Sequence, residues 1–160
     1  MVAHVLTALR ESDIETVFAA VSPATPKTAA WLETQGVQVI ATAGEGYVAD
    51  LGAALDVVDQ PVLTVSADLP LLTAVHVDRL ISDYATDSLS VCVPLALAED
   101  VAASVDTTVE YEGKTVVPTG LNVVGRGGDR RVVWNDRRLA LNVNRPADRQ
   151  KADRWLSDSA

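Results

Sequence analysis

The stretch from Pro61 to Leu72, PVLTVSADLPLL, constrains most tightly what this chain can fold into. Val62 to Val65 is an apolar run without alternation, which predicts a short central strand buried on both faces. Ser66-Ala67-Asp68 ends it, and Pro70 has no N–H with which to continue a ladder. A helix-like run begins near Thr73. Asp68 is thereby set just past the carboxyl end of a strand, the edge of an open α/β sheet where ligands bind. A carboxylate there can hold Mg²⁺, a hard cation that takes one or two carboxylates plus substrate phosphate oxygens. It can equally cap the turn or helix that follows, and the spacing alone does not choose.

The flanking chain alternates helix and strand signals. Val2, Val5, Leu6 and Leu9 recur at helical spacing, so Met1 to Asp13 reads as an amphipathic helix, with no cap residue before it. Thr16 to Val21 reads as a strand, Pro26 to about Gln35 as a helix with Thr25 as cap and Gly36 as stop, and Val37 to Ala41 as a strand. Thr42 to Tyr47 is a glycine-bearing loop that opens a helix from Val48 to Val58. Backbone N–H groups at such a helix start favour an anion, although two glycines are not a phosphate-binding fingerprint and a plain strand-to-helix turn explains them too.

Thr73 to Tyr84 is the next helix, with His76 on it lacking a local partner and read as a surface or core-edge residue. Leu89 to Leu95 is a buried strand broken by Pro94, and Ala96 to Ser104 a short acidic helix or loop. Thr107 to Tyr111 and Lys114 to Val117 make a hairpin around Glu112-Gly113. Pro118 to Val124 is a bend and a short strand, and Arg126 to Arg131 an exposed loop. Leu139 to Asn144 alternates as a strand does, before a last helix from Ala147 to Leu156. The sum is one α/β domain with a mostly parallel sheet and a late antiparallel element.

Composition narrows the function classes. A formal charge of −9, spread along the chain, argues against nucleic-acid binding and fits a solvated acidic surface of the kind halophiles use. No stretch is long enough for a membrane span and no signal sequence opens the chain, so the default location is cytoplasmic. The single cysteine, Cys92, lies in an apolar run and reads as a small buried hydrophobe; without a Cys/His cluster a zinc site is not expected.

Five segments in order, SPATPKT (Ser22 to Thr28), GEGYVADL (Gly44 to Leu51), SADLPLL (Ser66 to Leu72), VPTGLNVV (Val117 to Val124) and LNVNRPAD (Leu141 to Asp148), resemble one family. It is the archaeal GTP:adenosylcobinamide-phosphate guanylyltransferases of coenzyme B12 assembly, within the Rossmann-like nucleotidyltransferases that include the molybdenum-cofactor guanylyltransferases. The resemblance implies a three-layer α/β fold. It implies attack of the cobinamide phosphate oxygen on the α-phosphate of GTP, with release of pyrophosphate. The protein's part would be positioning and charge neutralisation.

Residue by residue, the resemblance makes Asp68 the Mg²⁺-binding aspartate and makes Asn142 and Asn144 the pair that orients water or phosphate. At i and i+2 these asparagines can share one side, although Asn144 also suits a helix cap. Gly44, Glu45, Gly46, Tyr47, Asp50 and Ser66 would contact the nucleotide. Either Glu45 or Asp50 could accept the two hydrogen bonds of a guanine edge. Thr119, Gly120 and Asn122 would meet the corrinoid. GTP and adenosylcobinamide phosphate are the implied partners, and a homodimer is compatible with the resemblance.

Within the same class, a molybdopterin-type acceptor is the alternative; outside it, a non-catalytic remnant of the fold. The family's opening strand and glycine-rich, Arg-bearing loop have no counterpart here, so the first strand of the fold is missing. The expectation is a native chain longer than this one, with the 160-residue form binding GTP poorly, since Lys27 and Arg145 are the nearest cations and neither replaces such a loop.

Overall fold

A computed structural model describes residues 1–158. Its elements are α1 (Val2–Arg10), β1 (Phe18–Val21), α2 (Pro26–Thr34), β2 (Gln38–Ala41), α3 (Tyr47–Leu55), β3 (Val62–Val65), α4 (Ala74–Asp83), β4 (Ser88–Pro94), α5 (Leu95–Asp100), β5 (Val109–Tyr111), β6 (Lys114–Val124), β7 (Asp129–Val133) and α6 (Pro146–Asp158). The chain is α/β, and its backbone gathers into two compact units: Ile14–Val62, and Met1–Asp13 with the chain from Leu63 onward.

In the Ile14–Val62 unit, β1 and β2 pair in parallel, Phe18 opposite Gln38 through Val21 opposite Ala41. Parallel strands need a crossover, and α2 supplies it. The expected stop at Gly36 is a Schellman motif: Gly36 has φ +72°, its N–H reaches Glu33 O at 2.9 Å, and Val37 N–H reaches Leu32 O at 3.1 Å.

In the other unit, the Val5, Leu6 and Leu9 face of α1 is buried and packs on α4, whose Val77 and Leu80 are fully enclosed. The sheet runs β3-β6-β4-β7, with β5 also on β6. Strands β4 and β7 are parallel, while β6 is antiparallel to both β4 and β5. The β5–β6 hairpin closes at Glu112-Gly113, both at positive φ, as a two-residue turn demands. Cys92 is fully buried, and burial pushes its thiol up against the opposing pull of Arg131.

Four expectations change. Strand β3 is half-buried along its length rather than enclosed on both faces, because it ends the strand path and has β6 as its neighbour there. Lys114–Val124 is one strand through Pro118, not a hairpin arm followed by a bend. The expected loop Arg126 to Arg131 contains the start of β7, whose ladder partner is β4. Leu139 to Asn144 is not a ladder strand: a turn covers its start, and Val143 N–H makes one main-chain bond, to Asp68 O at 2.9 Å.

His76 is buried rather than peripheral, and it has a partner within its own helix start. Thr73 N–H donates to His76 Nδ1 at 3.0 Å, the reach-back half of a capping box. An Nδ1 that accepts leaves the proton on Nε2, which meets Asp136 Oδ2 at 3.0 Å. Burial opposes ionisation of Asp136, but the Arg138 N–H and His76 outweigh it and hold the carboxyl below its usual value. A depressed folded value contributes stability that is present above the unfolded value and lost as pH falls through the folded one. Asp136→Asn should therefore lower the urea midpoint near neutral pH, with the deficit shrinking below about pH 4. A deficit that is the same at low and neutral pH would contradict this assignment.

Candidate functional site

The site grows from an irregularity in β6. Ser90 pairs with Asn122 and Cys92 with Pro118, so Thr119-Gly120-Leu121 stand against Val91 alone. This bulge tolerates Pro118 inside a sheet. Thr119 closes it from within. Its hydroxyl donates to Val91 O at 2.9 Å and accepts from Leu121 N–H at 3.2 Å, and the residue is 1% exposed. Gly120 has φ +82°, and a Cβ there would lie 2.8 Å from Ser66 Cβ. Its carbonyl accepts from Ser66 N–H at 3.0 Å, which fixes the chain as it leaves β3 toward Asp68.

The bulge also presents Thr119 O to Asn142. Asn142 Nδ2 donates there at 3.1 Å and lies 3.4 Å from Asp68 Oδ1. Asp68 is thus held through its main chain by Val143 and met at its carboxylate by Asn142. It is not spent as the cap of α4, whose N-cap is Thr73. Ala140, Asn142 and Asn144 line a pocket of about 210 Å³ together with Ser104 to Thr107, Val117 and Pro118. Leu141 turns the other way, into a cluster with Leu71 and Ala152. The alternation read from the sequence survives without the ladder, and the two asparagines share one side.

Of the other residues singled out, Ser66, Thr119 and Gly120 join the Asp68 corner as its framework. Asn122 reaches across to β3, its Nδ2 3.5 Å from Thr64 Oγ1. Thr119, Gly120 and Asn122 do not line the pocket. Asn144 does not cap α6: its Nδ2 donates to Ser104 O at 3.3 Å, and Arg145 N–H is taken instead by Asp148 Oδ2 at 3.0 Å. Arg145 itself is paired with Asp106 at 2.9 Å.

Gly44, Glu45, Gly46, Tyr47 and Asp50 form a cluster of their own in the Ile14–Val62 unit. Gly44 has φ +76°, and a Cβ would come within 3.2 Å of Pro23 Cδ. Asp50 Oδ1 accepts from Gly44 N–H at 2.9 Å, so this acid holds the loop that precedes its own helix. Glu45 and Tyr47 are exposed.

Asp148, Ser104 and Asp106 escaped the sequence reading. Only Asp148 carried a local signal, an acid two residues after the proline that opens α6, where it can reach back to the N-cap N–H.

The MobA-like NTP transferase domain family matches residues 1–155. The adenosylcobinamide-phosphate guanylyltransferase of Methanocaldococcus jannaschii is 26% identical over 171 aligned positions, covering 98% of this chain and 83% of that protein. Among solved structures, a CMP:2-keto-3-deoxy-manno-octonic acid synthetase complexed with CTP superposes with TM-score 0.71 at 13% identity, covering 99% of this chain and 88% of the other. A hypothetical transferase from Thermus thermophilus gives TM-score 0.57 at 21% identity, covering 78% of this chain and 52% of its own. These two establish the fold, and among the described residues no helix is long and apolar enough to cross a membrane. Since the family match runs over nearly the whole chain and takes in both the Asp68 turn and the Asn142 segment, the protein belongs to the MobA-like NTP transferase domain family and is a nucleotidyltransferase.

Proposed function

We propose that this protein transfers GMP from GTP to adenosylcobinamide phosphate and releases pyrophosphate, with Mg²⁺ held at Asp68. The observation that carries the reading is the Asp68–Asn142 corner, built at the end of β3 behind the β6 bulge. The relative that is 26% identical over 98% of this chain suggests the substrates.

The donor set suits a hard cation. Asp68 offers carboxylate oxygens, and Asn142, with its nitrogen engaged, offers Oδ1. Among the described residues there is no group of three His, Cys, Asp or Glu that would cage a metal. One carboxylate with a neutral oxygen leaves the remaining positions to water and substrate phosphate, which is how Mg²⁺ is commonly held. Bound there, the ion would neutralise charge on the phosphates as pyrophosphate departs. Asn142 orients the carboxylate, and the bulge fixes where both sit.

For the guanine base we take Glu45, which is exposed, over Asp50, one of whose oxygens already holds Gly44 N–H. A carboxylate accepts from the N1–H and the N2 amine of guanine with one oxygen each; an amide in its place sets an NH₂ against one of these donors. Glu45→Gln should therefore shrink the preference for GTP over ITP, which lacks the N2 amine, by about 10- to 100-fold. An unchanged GTP/ITP ratio would remove Glu45 from this role.

The acceptor is tested by competition in the full-length protein between adenosylcobinamide phosphate and molybdopterin for GTP-dependent pyrophosphate release. A GDP-linked cobinamide product supports the reading. A guanylylated pterin replaces it with the alternative acceptor, and no release with either acceptor overturns it.

A further inference from the structure

We propose that Asp148 is a positioning residue that sets Asn142 against Asp68 by clasping the two segments that line the pocket beside Asn142; this rests on the reading of the Asp68–Asn142 corner as the reaction centre. Asp148 is completely buried, an expensive place for a carboxylate unless its oxygens are met. They are met from two distant segments. Oδ1 accepts from Ser104 N–H and from Ser104 Oγ, each at 3.2 Å, and lies 3.7 Å from the Lys151 ammonium. Oδ2 accepts from Arg145 N–H at 3.0 Å.

A helix cap requires only the Arg145 contact. The Ser104 bonds exceed it, and further bonds run alongside them. Asn144 Nδ2 donates to Ser104 O at 3.3 Å, the Arg145 guanidinium meets Asp106 at 2.9 Å, and Lys151 donates to Ala102 O. These bonds join the segment from Ala102 to Asp106 to the segment from Asn144 to Lys151. Ser104 to Thr107 form one wall of the pocket, and Asn142 and Asn144 belong to the other. Asn142, two residues from the clasp, carries the contact to Asp68. The carboxylate of Asp148 therefore governs a geometry it does not touch.

Asp148→Asn keeps the volume but sets an NH₂ against one group of donors, either the Arg145 N–H or those of Ser104. The clasp opens on that side. Helix α6 remains anchored by Ala152 on Leu71 and Leu141. The expected result is a loss of about 10- to 100-fold in kcat/KM for the acceptor, from a small displacement of positioning groups, with the Kd for GTP within about twofold of wild type. Ser104→Ala, which leaves α6 untouched, moves the same parameter in the same direction by a smaller factor. In ¹⁵N-correlated NMR spectra of the full chain, the side-chain NH₂ signals of Asn142 and Asn144 shift in Asp148→Asn, while the backbone amides of α4 stay in place.

A lower melting temperature with acceptor kinetics unchanged and both NH₂ signals unmoved would reduce Asp148 to a helix cap and overturn the proposal. Should Asp148→Asn fail to fold, Ser104→Ala decides by the same two readouts. Should the wild-type protein turn over neither acceptor, the proposed function fails, yet the NH₂ shifts still decide the clasp.

Discussion

Asp68→Asn should lower kcat for pyrophosphate release by about a thousandfold or more, with the fold intact. The substitution is nearly isosteric. It leaves the main-chain bond from Val143 N–H to Asp68 O in place, and an amide oxygen can still meet Asn142 Nδ2. What it removes is the carboxylate of the Asp68–Asn142 pair, on which the proposed Mg²⁺ site depends. Thermal unfolding should move little, because Asp68 is half-exposed and, among the described residues, its carboxylate makes one long hydrogen bond, from Asn142. A variant that keeps its rate within tenfold of wild type would make Asp68 a structural acid and detach the chemistry from this corner.

Gly120→Ala should be the most destabilising single-methyl change at the site. Two costs coincide. A left-handed backbone at φ +82° costs an alanine about 1–2 kcal/mol. The methyl would also lie 2.8 Å from Ser66 Cβ, an overpacking that costs about 1–3 kcal/mol more. Relief of the clash must push Ser66 away, weakening its bond to Gly120 O and carrying Asp68 with it. The melting temperature should fall by roughly 5–15 °C. Gly113→Ala is the control, since Gly113 has φ +73° with nothing within 4 Å of an added Cβ, and it should show only the backbone cost. Equal losses in the two variants would mean that the Gly120–Ser66 contact is not tight.

The elements legible in the sequence are those whose signals are local. The Gly36 stop, the Glu112-Gly113 turn and the Val5–Leu6–Leu9 face were each specified within a few residues, and so was the carboxylate at the end of Val62–Val65. The illegible ones depend on distant chain. Asp129–Val133 begins with charged, exposed residues, and β4 rather than its own pattern makes it a strand. Pro118 reads as a break until the Thr119–Leu121 bulge accommodates it. His76 looks partnerless in the sequence because Asp136 lies far along the chain, and a histidine where a capping box usually has Glu or Gln hides its pairing with Thr73.

The same holds at the site. That Asn142 and Asn144 share a side followed from alternation, although the ladder assumed for them is absent. The bulge that holds Asn142 by Thr119 O, and the Asp148 clasp on Ser104, join residues that no local pattern connects. Thr119 and Gly120, which the resemblance sets against the corrinoid, also build the framework of the Asp68 turn through bonds to Val91 and Ser66.

The measurement closest to the central claim follows the label from GTP carrying ³²P at either the α or the γ position, incubated with adenosylcobinamide phosphate and the full-length protein. Nucleotidyl transfer at the Asp68–Asn142 corner predicts α-label on the corrinoid and γ-label in pyrophosphate, with both transfers lost in Asp68→Asn. Label from the γ position on the acceptor, or α-label transferred equally well by Asp68→Asn, would contradict the account.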